Sequence, residues 1–330
     1  MRESAPRTFS HREEAPMTIL SDTLTLDDLV IAATLPDTAR DLMEEPVRPW
    51  QLNTITVRKS PGKFRRVVEP RDNSLARVQK KLKEFLDRDV LEPHPCVHGF
   101  TRDRGPYTNA LAHLNARAAL TIDISDFFSS VSSDDVQSTL VSFGASTAVA
   151  RGITNVSVFE NVLATGFSTS PVLSNMYFRD TDDVLATFAE EFNLTYTRYA
   201  DDLTFSGEDV DDTHLAEITR VLESKGLRVN QKKVRFQRSG HPQFVTGYVI
   251  AHRDHPRVGR YFKRQLRLDL HYVMKHGLVH QAQLRGLSPQ VLAKQLAGRI
   301  NYLMCSERDL AVHLRQKYGH LLDDVDENPY

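Results

Sequence analysis

The chain has 330 residues, of which 40% are hydrophobic and 26% are charged, and its formal net charge is −1. This composition is that of an ordinary globular protein with room for a sizeable core and two or three subdomains. The sequence has no apolar run of about 18 residues, which excludes a membrane-spanning helix. Its two cysteines lack metal-ligand spacing and its N-terminal segment is polar, so we expect a cytoplasmic protein without structural zinc or a secretory signal.

The near-neutral net charge hides a strong asymmetry along the chain. Residues 219–319 contain 20 Lys and Arg but only 5 Asp and Glu, and residues 58–83 contain 10 against 2. Two basic segments around an acidic middle are typical of a protein that holds a polyanion from two sides. Basic helices can equally be solvated surfaces, so charge alone leaves both interpretations open.

Hydrophobic periodicity and turn signals divide the chain into alternating helices and strands. In chain order they predict a disordered start (1–20), short helices (21–45), a hairpin (53–70), a helix (75–91), a buried strand that runs into a turn (118–128), a helix (132–144), a long helix (170–192), a hairpin (194–207), a helix (211–225), a strand (243–250) and basic helices from 258 onward. Ser21, Thr25 and Asp37 are candidate N-caps. Strands and helices without regular βαβ alternation predict an α+β fold with an all-α C-terminal part.

The stretch "TYTRYADDLTFSG" (195–207) places two aspartates side by side within an apolar hairpin. The alternation of the flanking residues puts Asp201 and Asp202 at the bend, where both carboxylates can approach one point. Two desolvated anions at one point repel unless a cation lies between them. The alternative is that this pair only decorates a turn, where Asp is common.

A third carboxylate, Asp123, ends the apolar strand in "LTIDISDFF" (120–128), where an unpaired buried acid would be costly. Three aspartates can hold two metal ions about 4 Å apart, as polymerases do for phosphoryl transfer. Ligands that are all oxygens favour magnesium, or manganese, over zinc. We therefore predict a site for two magnesium ions at Asp123, Asp201 and Asp202.

"YADD" (199–202) resembles the catalytic box of reverse transcriptases, and other stretches resemble further boxes of that family in the family's order. They are "GKFRRVVEP" (62–70), "HGFTRDRG" (98–105), "LTIDISDFFSSV" (120–131), "LATGFSTSPVLSNM" (163–176) and "GLRVNQKKVRF" (226–236). "NALAH" (109–113) and "VTG" (245–247) resemble the two hallmarks of retron reverse transcriptases. The resemblance implies a right-hand polymerase with an N-terminal extension (1–45), fingers (46–117), a palm (118–250, with 132–165 partly fingers) and a helical basic thumb (251–330).

The resemblance also implies roles around the nucleotide. Asp123, Asp201 and Asp202 would be the catalytic metal ligands, joined by the Ile124 carbonyl. The remaining nucleotide-site residues would be Phe128 as a steric gate against a ribose 2′-hydroxyl, Asp126 near the triphosphate, Lys63, Arg65 and Arg66 as phosphate clamps, Thr165 and Gly166 in the third box, and Lys233, with Lys232 as the fallback, as the triphosphate lysine. Phe128 could instead be a core residue, and the basic hairpin a solvated one. Thr165 departs from the family, which usually has glutamine there.

Template-contacting residues are implied in two places. Asn109 and His113 share a face if their segment is helical, and would either recognise the cognate RNA or form a packing pair. Thr246 and Gly247 would let the primer backbone pass closely, or would mark a bulge in a strand. Five basic side chains at helical spacing would lie along the template–product backbone, recognising A-form geometry: Arg257, Arg260, Lys263, Arg264 and Arg267.

By resemblance, the chain would copy part of a cognate structured non-coding RNA into single-stranded DNA from dNTPs, priming from an RNA 2′-hydroxyl. The product would be a branched RNA–DNA hybrid, made in the bacterial cytoplasm in phage defence with a separate effector protein and no membrane. The alternatives are another bacterial defence reverse transcriptase without branched priming, a catalytically silent RNA-binding scaffold, and a generic metal-dependent nuclease, which would not require dNTPs.

Overall fold

The computed structural model of the protein describes residues 20, 25–60, 62–251 and 254–323. The helices are α1 (Leu26–Ala32), α2 (Ala39–Glu44), α3 (Asn73–Phe85), α4 (Pro106–Leu111), α5 (Ser133–Ser142), α6 (Thr147–Ser157), α7 (Ser170–Glu191), α8 (Asp212–Ser224), α9 (Arg260–His276), α10 (Leu278–Leu284), α11 (Pro289–Met304), α12 (Arg308–Tyr318) and α13 (His320–Asp323). The strands are β1 (Leu52–Ser60), β2 (Lys63–Pro70), β3 (Ala118–Asp123), β4 (Val158–Phe159), β5 (Val162–Leu163), β6 (Thr195–Tyr199), β7 (Asp202–Gly207), β8 (Arg235–Arg238), β9 (Phe244–Val245), β10 (Tyr248–Val249) and β11 (Arg257–Val258).

This mixture of helices with antiparallel sheets confirms the predicted α+β class. Within the described ranges, no helix combines the length and apolarity needed to cross a membrane. The chain divides into two compact units. One comprises the described residues up to His94 together with Ser125–Asp183, and the other comprises Pro95–Ile124 together with the described residues from Val184 onward. The four-part division into extension, fingers, palm and thumb stays a prediction.

The first unit packs α1, α2, α3, α5, α6 and the first part of α7 beside two small hairpins, β1–β2 and β4–β5. Thr25 caps α1 as predicted, in a reciprocal capping box with Asp28. The prediction of Asp37 as the next N-cap is wrong by one residue, because α2 begins at Ala39 and Thr38 takes the N-cap position. Ser21, residues 1–19 and Pro61 of the predicted hairpin turn lie outside the described residues.

The helix predicted over 75–91 is two elements. Asp72 caps α3 by accepting hydrogen bonds from the backbone N–H groups of Ser74 and Leu75. After Phe85 the chain widens into a π-helical turn, Leu86–Val90. The apolar spacing continues through this turn, which is why periodicity alone does not show the change.

The second unit is organised by a four-stranded antiparallel sheet in the order β6–β7–β3–β8. The two central strands carry the most buried side chains of the sheet, with Leu120 and Phe205 paired in register and both 0% exposed. Burial of two neighbouring strands holds their register, because a slip by one residue would turn every side chain to the other face. This register positions the acidic residues described below.

A second sheet, β11–β10–β9, joins helices α9 to α13 through one apolar cluster that includes Tyr248, Leu270 and Ile300. The prediction of one continuous strand over 243–250 is wrong. Thr246 and Gly247 both have positive φ, 44° and 87°, and turn the chain between β9 and β10. The residues from Arg257 onward are also not one helix, since Arg257 lies in β11 and α9 begins only after Gly259.

Candidate active site

The aspartate pair lies at the bend of the β6–β7 hairpin, as the alternation predicts. β6 ends at Tyr199, Ala200 and Asp201 form the turn, and Asp202 is the first residue of β7. β3 pairs with β7 so that Asp123 is the direct partner of Asp202. The Ile124 backbone N–H donates to the Asp201 carbonyl at 2.9 Å, which ties the end of β3 to the turn. Three carboxylates from separate parts of the sequence thus share one end of the sheet.

The carboxylates at this end of the sheet carry like charges and repel one another. The pKa of Asp202 is raised to about 6, first by desolvation and then by the negative charges of Asp201 and Asp123. A hydrogen bond to the Asp123 carboxyl group also favours the protonated form of Asp202. Asp202 keeps exposed surface, so solvent screens part of this repulsion. The arrangement therefore favours a cation beside these carboxylates.

Lys233 and Asn230 provide Asp123 with a positive charge and with hydrogen-bond donors. The Lys233 ammonium group forms an ion pair with one oxygen of Asp123, whose side chain is only 8% exposed. The Asn230 side-chain amide donates to the other oxygen at 3.1 Å, and the Asn230 backbone N–H donates to the Asp123 carbonyl at 2.8 Å. Burial lowers the pKa of Lys233, but the hydrogen bond and charge of Asp123 outweigh it and raise that pKa overall. The two neighbouring lysines therefore differ in their surroundings, because Lys233 contacts Asp123 whereas the side chain of Lys232 is exposed.

The donor set suits a hard divalent cation in its chemistry, because the crowded groups are carboxylates that repel one another. The predicted cage of three converging carboxylates is not assembled in this conformation: across the described ranges, no group of three or more His, Cys, Asp or Glu side chains is placed to hold a metal ion. The Asp123 carboxylate is instead engaged by Lys233 and Asn230. Metal binding at Asp123, Asp201 and Asp202 accordingly remains a prediction.

The turn that carries the aspartates is held by residues that sequence patterns did not identify. Ala200 has φ of 57°, a left-handed conformation that costs a non-glycine residue free energy. Arg198 is 0% exposed and its guanidinium donates to the Ala200 carbonyl at 3.3 Å. Gly99 packs so closely that an added Cβ would meet the Ala200 backbone nitrogen. No pattern in the stretch "TRYADD" indicates that its arginine is buried.

Two predicted nucleotide residues, Thr165 and Gly166, lie against the basic hairpin in the first unit. The Val68 backbone N–H donates to the Thr165 carbonyl at 2.8 Å. Gly166 has φ of 117°, and an added Cβ would meet the Val68 carbonyl oxygen and the Val67 side chain. Close backbone approach at Gly166 was predicted, but the neighbour that the structure shows is this hairpin.

The predicted phosphate-clamp residues of the basic hairpin differ from one another in their contacts. Arg65 is exposed, whereas Arg66 forms a two-pronged ion pair with Glu160 at 2.8 and 3.0 Å, which the sequence did not suggest. Lys63 begins β2, and its side chain lies outside the described residues. The phosphate-clamp roles of these three residues remain predictions, with Arg65 the more open of the two described arginines.

Phe128 and Asp126 follow β3 in a short turn. Phe127 is 4% exposed and contacts Phe178 edge-on, with ring centroids 5.8 Å apart. Phe128 is half-buried, and Asp126 is exposed with φ of 50°. The structure thus places Phe127 in the core and leaves part of the Phe128 ring at the surface, as a steric gate would require.

The polar residues of the first hallmark stretch are internal, whereas in the second stretch Thr246 is half-buried and Gly247 is exposed. Asn109 is 0% exposed and His113 is 1% exposed. α4 ends at Leu111, so His113 lies in the turn that follows the helix. Burial favours the packing interpretation of this pair over direct RNA recognition. It also lowers the pKa of His113 to about 3, with a smaller contribution from His98.

The predicted basic face of the thumb is divided. Arg260, Arg264 and Arg267 are exposed on α9. Lys263 instead forms an ion pair with Glu307 at 2.8 Å. Arg257, which the sequence placed on the same helical face, lies in β11 and approaches Asp254 at 3.8 Å. Three of the five predicted backbone contacts therefore remain open to a nucleic acid.

The chain belongs to the reverse transcriptase (RNA-dependent DNA polymerase) family, whose model matches residues 57–257. That match includes the three aspartates, Lys233 and both hallmark stretches, and it agrees with the right-hand polymerase fold expected from the sequence.

Among curated relatives, the chain is 31% identical to the retron Mx65 reverse transcriptase of Myxococcus xanthus over 277 residues, which cover 74% of this chain and 63% of that protein. It is 32% identical to the retron Mx162 reverse transcriptase of the same organism over 66% of this chain and 51% of that one. It is 29% identical to the retron Ec86 reverse transcriptase of Escherichia coli over 66% and 68%. The chain thus spans between half and two thirds of the length of the two Myxococcus relatives.

We expect Gly166→Ala to destabilise the protein by about 1–3 kcal/mol, because alanine is strained at positive φ and its Cβ would press on the Val68 carbonyl. Urea unfolding of the full chain measures the change. The control is Gly298→Ala on α11, where an added Cβ meets nothing within 4 Å and alanine should stabilise by about 0.5–1 kcal/mol. Equal stability of wild type and Gly166→Ala would contradict the close packing.

We expect His113 to make stability depend on pH below its ordinary pKa. The folded pKa of about 3 lies below the ordinary histidine pKa of 6.5, so the unfolded chain binds more protons between these values. The contribution of His113 is therefore complete above pH 6.5 and declines as pH falls toward 3. Urea unfolding of wild type and His113→Gln at several pH values should show a difference that shrinks with acidity. A difference between wild type and His113→Gln that does not change with pH would disprove neutral burial of His113.

Proposed function

We propose that the protein is an RNA-directed DNA polymerase of retron type, which copies part of a cognate structured non-coding RNA into single-stranded DNA. The observation that carries the proposal is the pairing of Asp123 with Asp202 at the sheet end that also holds Asp201 and Lys233. Membership of the reverse transcriptase family and the retron relatives support it. A silent scaffold would have no use for this acidic set, and a metal-dependent nuclease would differ from a polymerase in not requiring dNTPs.

In the proposed reaction, Asp123, Asp201 and Asp202, with the Ile124 carbonyl, would hold two magnesium ions. When bound, these ions would supply activation of the 3′-hydroxyl and stabilisation of the leaving pyrophosphate. Lys233 would exchange its ion pair with Asp123 for the incoming triphosphate, to which its ammonium group would offer a positive charge and a hydrogen-bond donor. Asn230 orients Asp123 through its two hydrogen bonds.

The first unit contributes the nucleotide-facing groups. Phe128 excludes a ribose 2′-hydroxyl, and Asp126 lies near the triphosphate. Lys63, Arg65 and Arg66 contact phosphates, for which Arg66 would exchange its pair with Glu160. The Thr165–Gly166 backbone borders the nucleotide or template. Each role rests on the family resemblance and on the placement of these residues within their own unit.

The second unit would hold the nucleic acid. Arg260, Arg264 and Arg267 present exposed charge along α9, suited to the phosphate backbone of an A-form RNA–DNA product. We further propose priming from an RNA 2′-hydroxyl, and action in the bacterial cytoplasm in phage defence with a separate effector protein. These finer statements rest on the likeness to retron reverse transcriptases.

The first test sequences the nucleic acid that co-purifies with the wild-type protein and with Asp201→Ala/Asp202→Ala, with and without RNase and debranching enzyme. We expect one discrete single-stranded DNA joined to one structured RNA, present only with wild type, because the variant loses two of the three carboxylates. A loss of product of about 10³-fold or more is typical when catalytic groups that act together are removed.

Other outcomes separate the alternatives. DNA without a branched RNA would favour a defence reverse transcriptase with another priming mode. RNA bound equally by both proteins, with no DNA from either and no dNTP incorporation on added primer–template, would overturn the polymerase proposal in favour of a scaffold.

The second test addresses the proposed steric gate. Phe128→Val should reduce discrimination between dTTP and UTP by about 10- to 100-fold, because a smaller side chain leaves room for the 2′-hydroxyl. Single-nucleotide incorporation on an RNA template gives the ratio of kcat/KM values. Phe192→Val, which removes a ring that is 48% exposed in the turn after α7, is the control and should leave the ratio unchanged. Unchanged discrimination in Phe128→Val would make Phe128 a packing residue.

A further inference from the structure

His113 bridges the two strands of the hairpin that carries the aspartates. Its Nδ1 lies 2.7 Å from the Ser206 hydroxyl on β7, and its Nε2 lies 2.6 Å from the Thr197 hydroxyl on β6. Both ring nitrogens are therefore used, and a neutral imidazole offers one donor and one acceptor to two hydroxyls that can rotate to match. Thr197 on β6 precedes Asp201 and Ser206 on β7 follows Asp202, so the bridge joins the two strands that lead into and out of the acidic turn.

The same segment reaches the turn at Thr246 and Gly247. The Asn109 side-chain amide is 3.4 Å from the Thr246 hydroxyl, and that hydroxyl donates to the Pro106 carbonyl at 2.7 Å. An added Cβ at Gly247 would lie 2.9 Å from the Tyr302 hydroxyl of α11. The stretches NALAH and VTG, which are 137 residues apart between Asn109 and Thr246, therefore meet in one place.

Two observations argue that Asn109 and His113 are internal support and not an RNA contact. Their side chains are only 0% and 1% exposed. Among the residues that the structure describes, the buried Asn109 side-chain oxygen also has no hydrogen-bond partner. An unpaired buried acceptor costs folding free energy. A role for Asn109 in positioning its neighbours therefore explains its presence better than a contribution to stability does.

We propose that the buried Asn109 and His113, with the half-buried Thr246, form a brace that holds the β6–β7 hairpin in register and ties it to the β9–β10 turn at Thr246 and Gly247. His113 and Asn109 are then positioning residues for the polymerase reaction, an inference that rests on the proposed function. The brace acts through geometry, since a displacement of about 1 Å at reacting groups can cost about 100-fold in rate.

The test uses the full chain with a generic RNA template and a DNA primer, so that recognition of a cognate RNA plays no part. His113→Phe keeps a ring and removes both hydrogen bonds, His113→Gln keeps an amide able to bond one or both hydroxyls, and Asn109→Leu removes the unpaired oxygen. His313→Phe, at an exposed position on α12, is the matched control. Single-turnover incorporation gives the maximal rate and the dNTP affinity, and fluorescence anisotropy gives the affinity for the hybrid.

We expect His113→Phe to lower the maximal rate by about 10- to 100-fold while the hybrid affinity stays within about threefold. His113→Gln should recover part of the rate. Asn109→Leu should lower the rate while its urea midpoint equals or exceeds that of wild type, which separates positioning from general stability. Unchanged rates on the generic template, with lost binding of the co-purified RNA, would overturn the brace in favour of RNA recognition.

Hydrogen–deuterium exchange supplies a readout that needs no activity. The brace predicts faster exchange in residues 195–207 of His113→Phe than in wild type or His313→Phe, with β1–β2 unchanged. If wild type extends no primer, the proposed function fails while this measurement still decides on the brace. Exchange identical to wild type throughout the hairpin would overturn the brace, whatever the enzyme does.

Discussion

The pairing of β3 with β7 is the constraint on which the candidate site depends, because it sets Asp123 directly opposite Asp202. Neighbouring carboxylates at the end of a sheet oppose folding unless positive charge or donors accompany them. Lys233 and Asn230 meet that requirement on Asp123, while desolvation and the negative charges of Asp201 and Asp123 still raise the pKa of Asp202. A sheet end with this excess of negative charge suits a centre that binds cations.

The rest of the second unit keeps this unfavourable arrangement in place. Buried residues such as Leu120 and Phe205 fix the register of the central strands, so the aspartates cannot separate by slipping. The left-handed Ala200 persists because Arg198 bonds its carbonyl and Gly99 leaves space for its backbone. Strain of this kind survives only where surrounding contacts determine the backbone, so the cost of the turn is offset by the burial around it.

Sequence reasoning found the parts of the site that leave a local pattern. The hairpin bend at Asp201 and Asp202, the strand end at Asp123 and the preference for Lys233 over Lys232 follow from alternation and from the order of family boxes. The contact of Asn230 with Asp123 and the pairing of Arg66 with Glu160 do not, because each joins residues about a hundred positions apart through side chains of ordinary type. Spacing rules also misplaced Arg257, since Gly259 interrupts the helix between it and Arg260.

The hallmark stretches show why polar residues in a motif do not by themselves indicate a ligand. Asn109, His113 and Thr246 have the hydrogen-bond donors and acceptors that RNA recognition would need. The same groups can instead form hydrogen bonds with other residues inside the protein. Burial separates the two cases, and it depends on tertiary packing that neither stretch encodes alone. Both ring nitrogens of His113 are bonded to the hairpin that carries the aspartates, so an effect of His113 on nucleic acid would pass through the backbone it holds. The polar groups of the brace thus act on the register of the aspartates, in the same sheet and under the same constraint as the β3–β7 pairing.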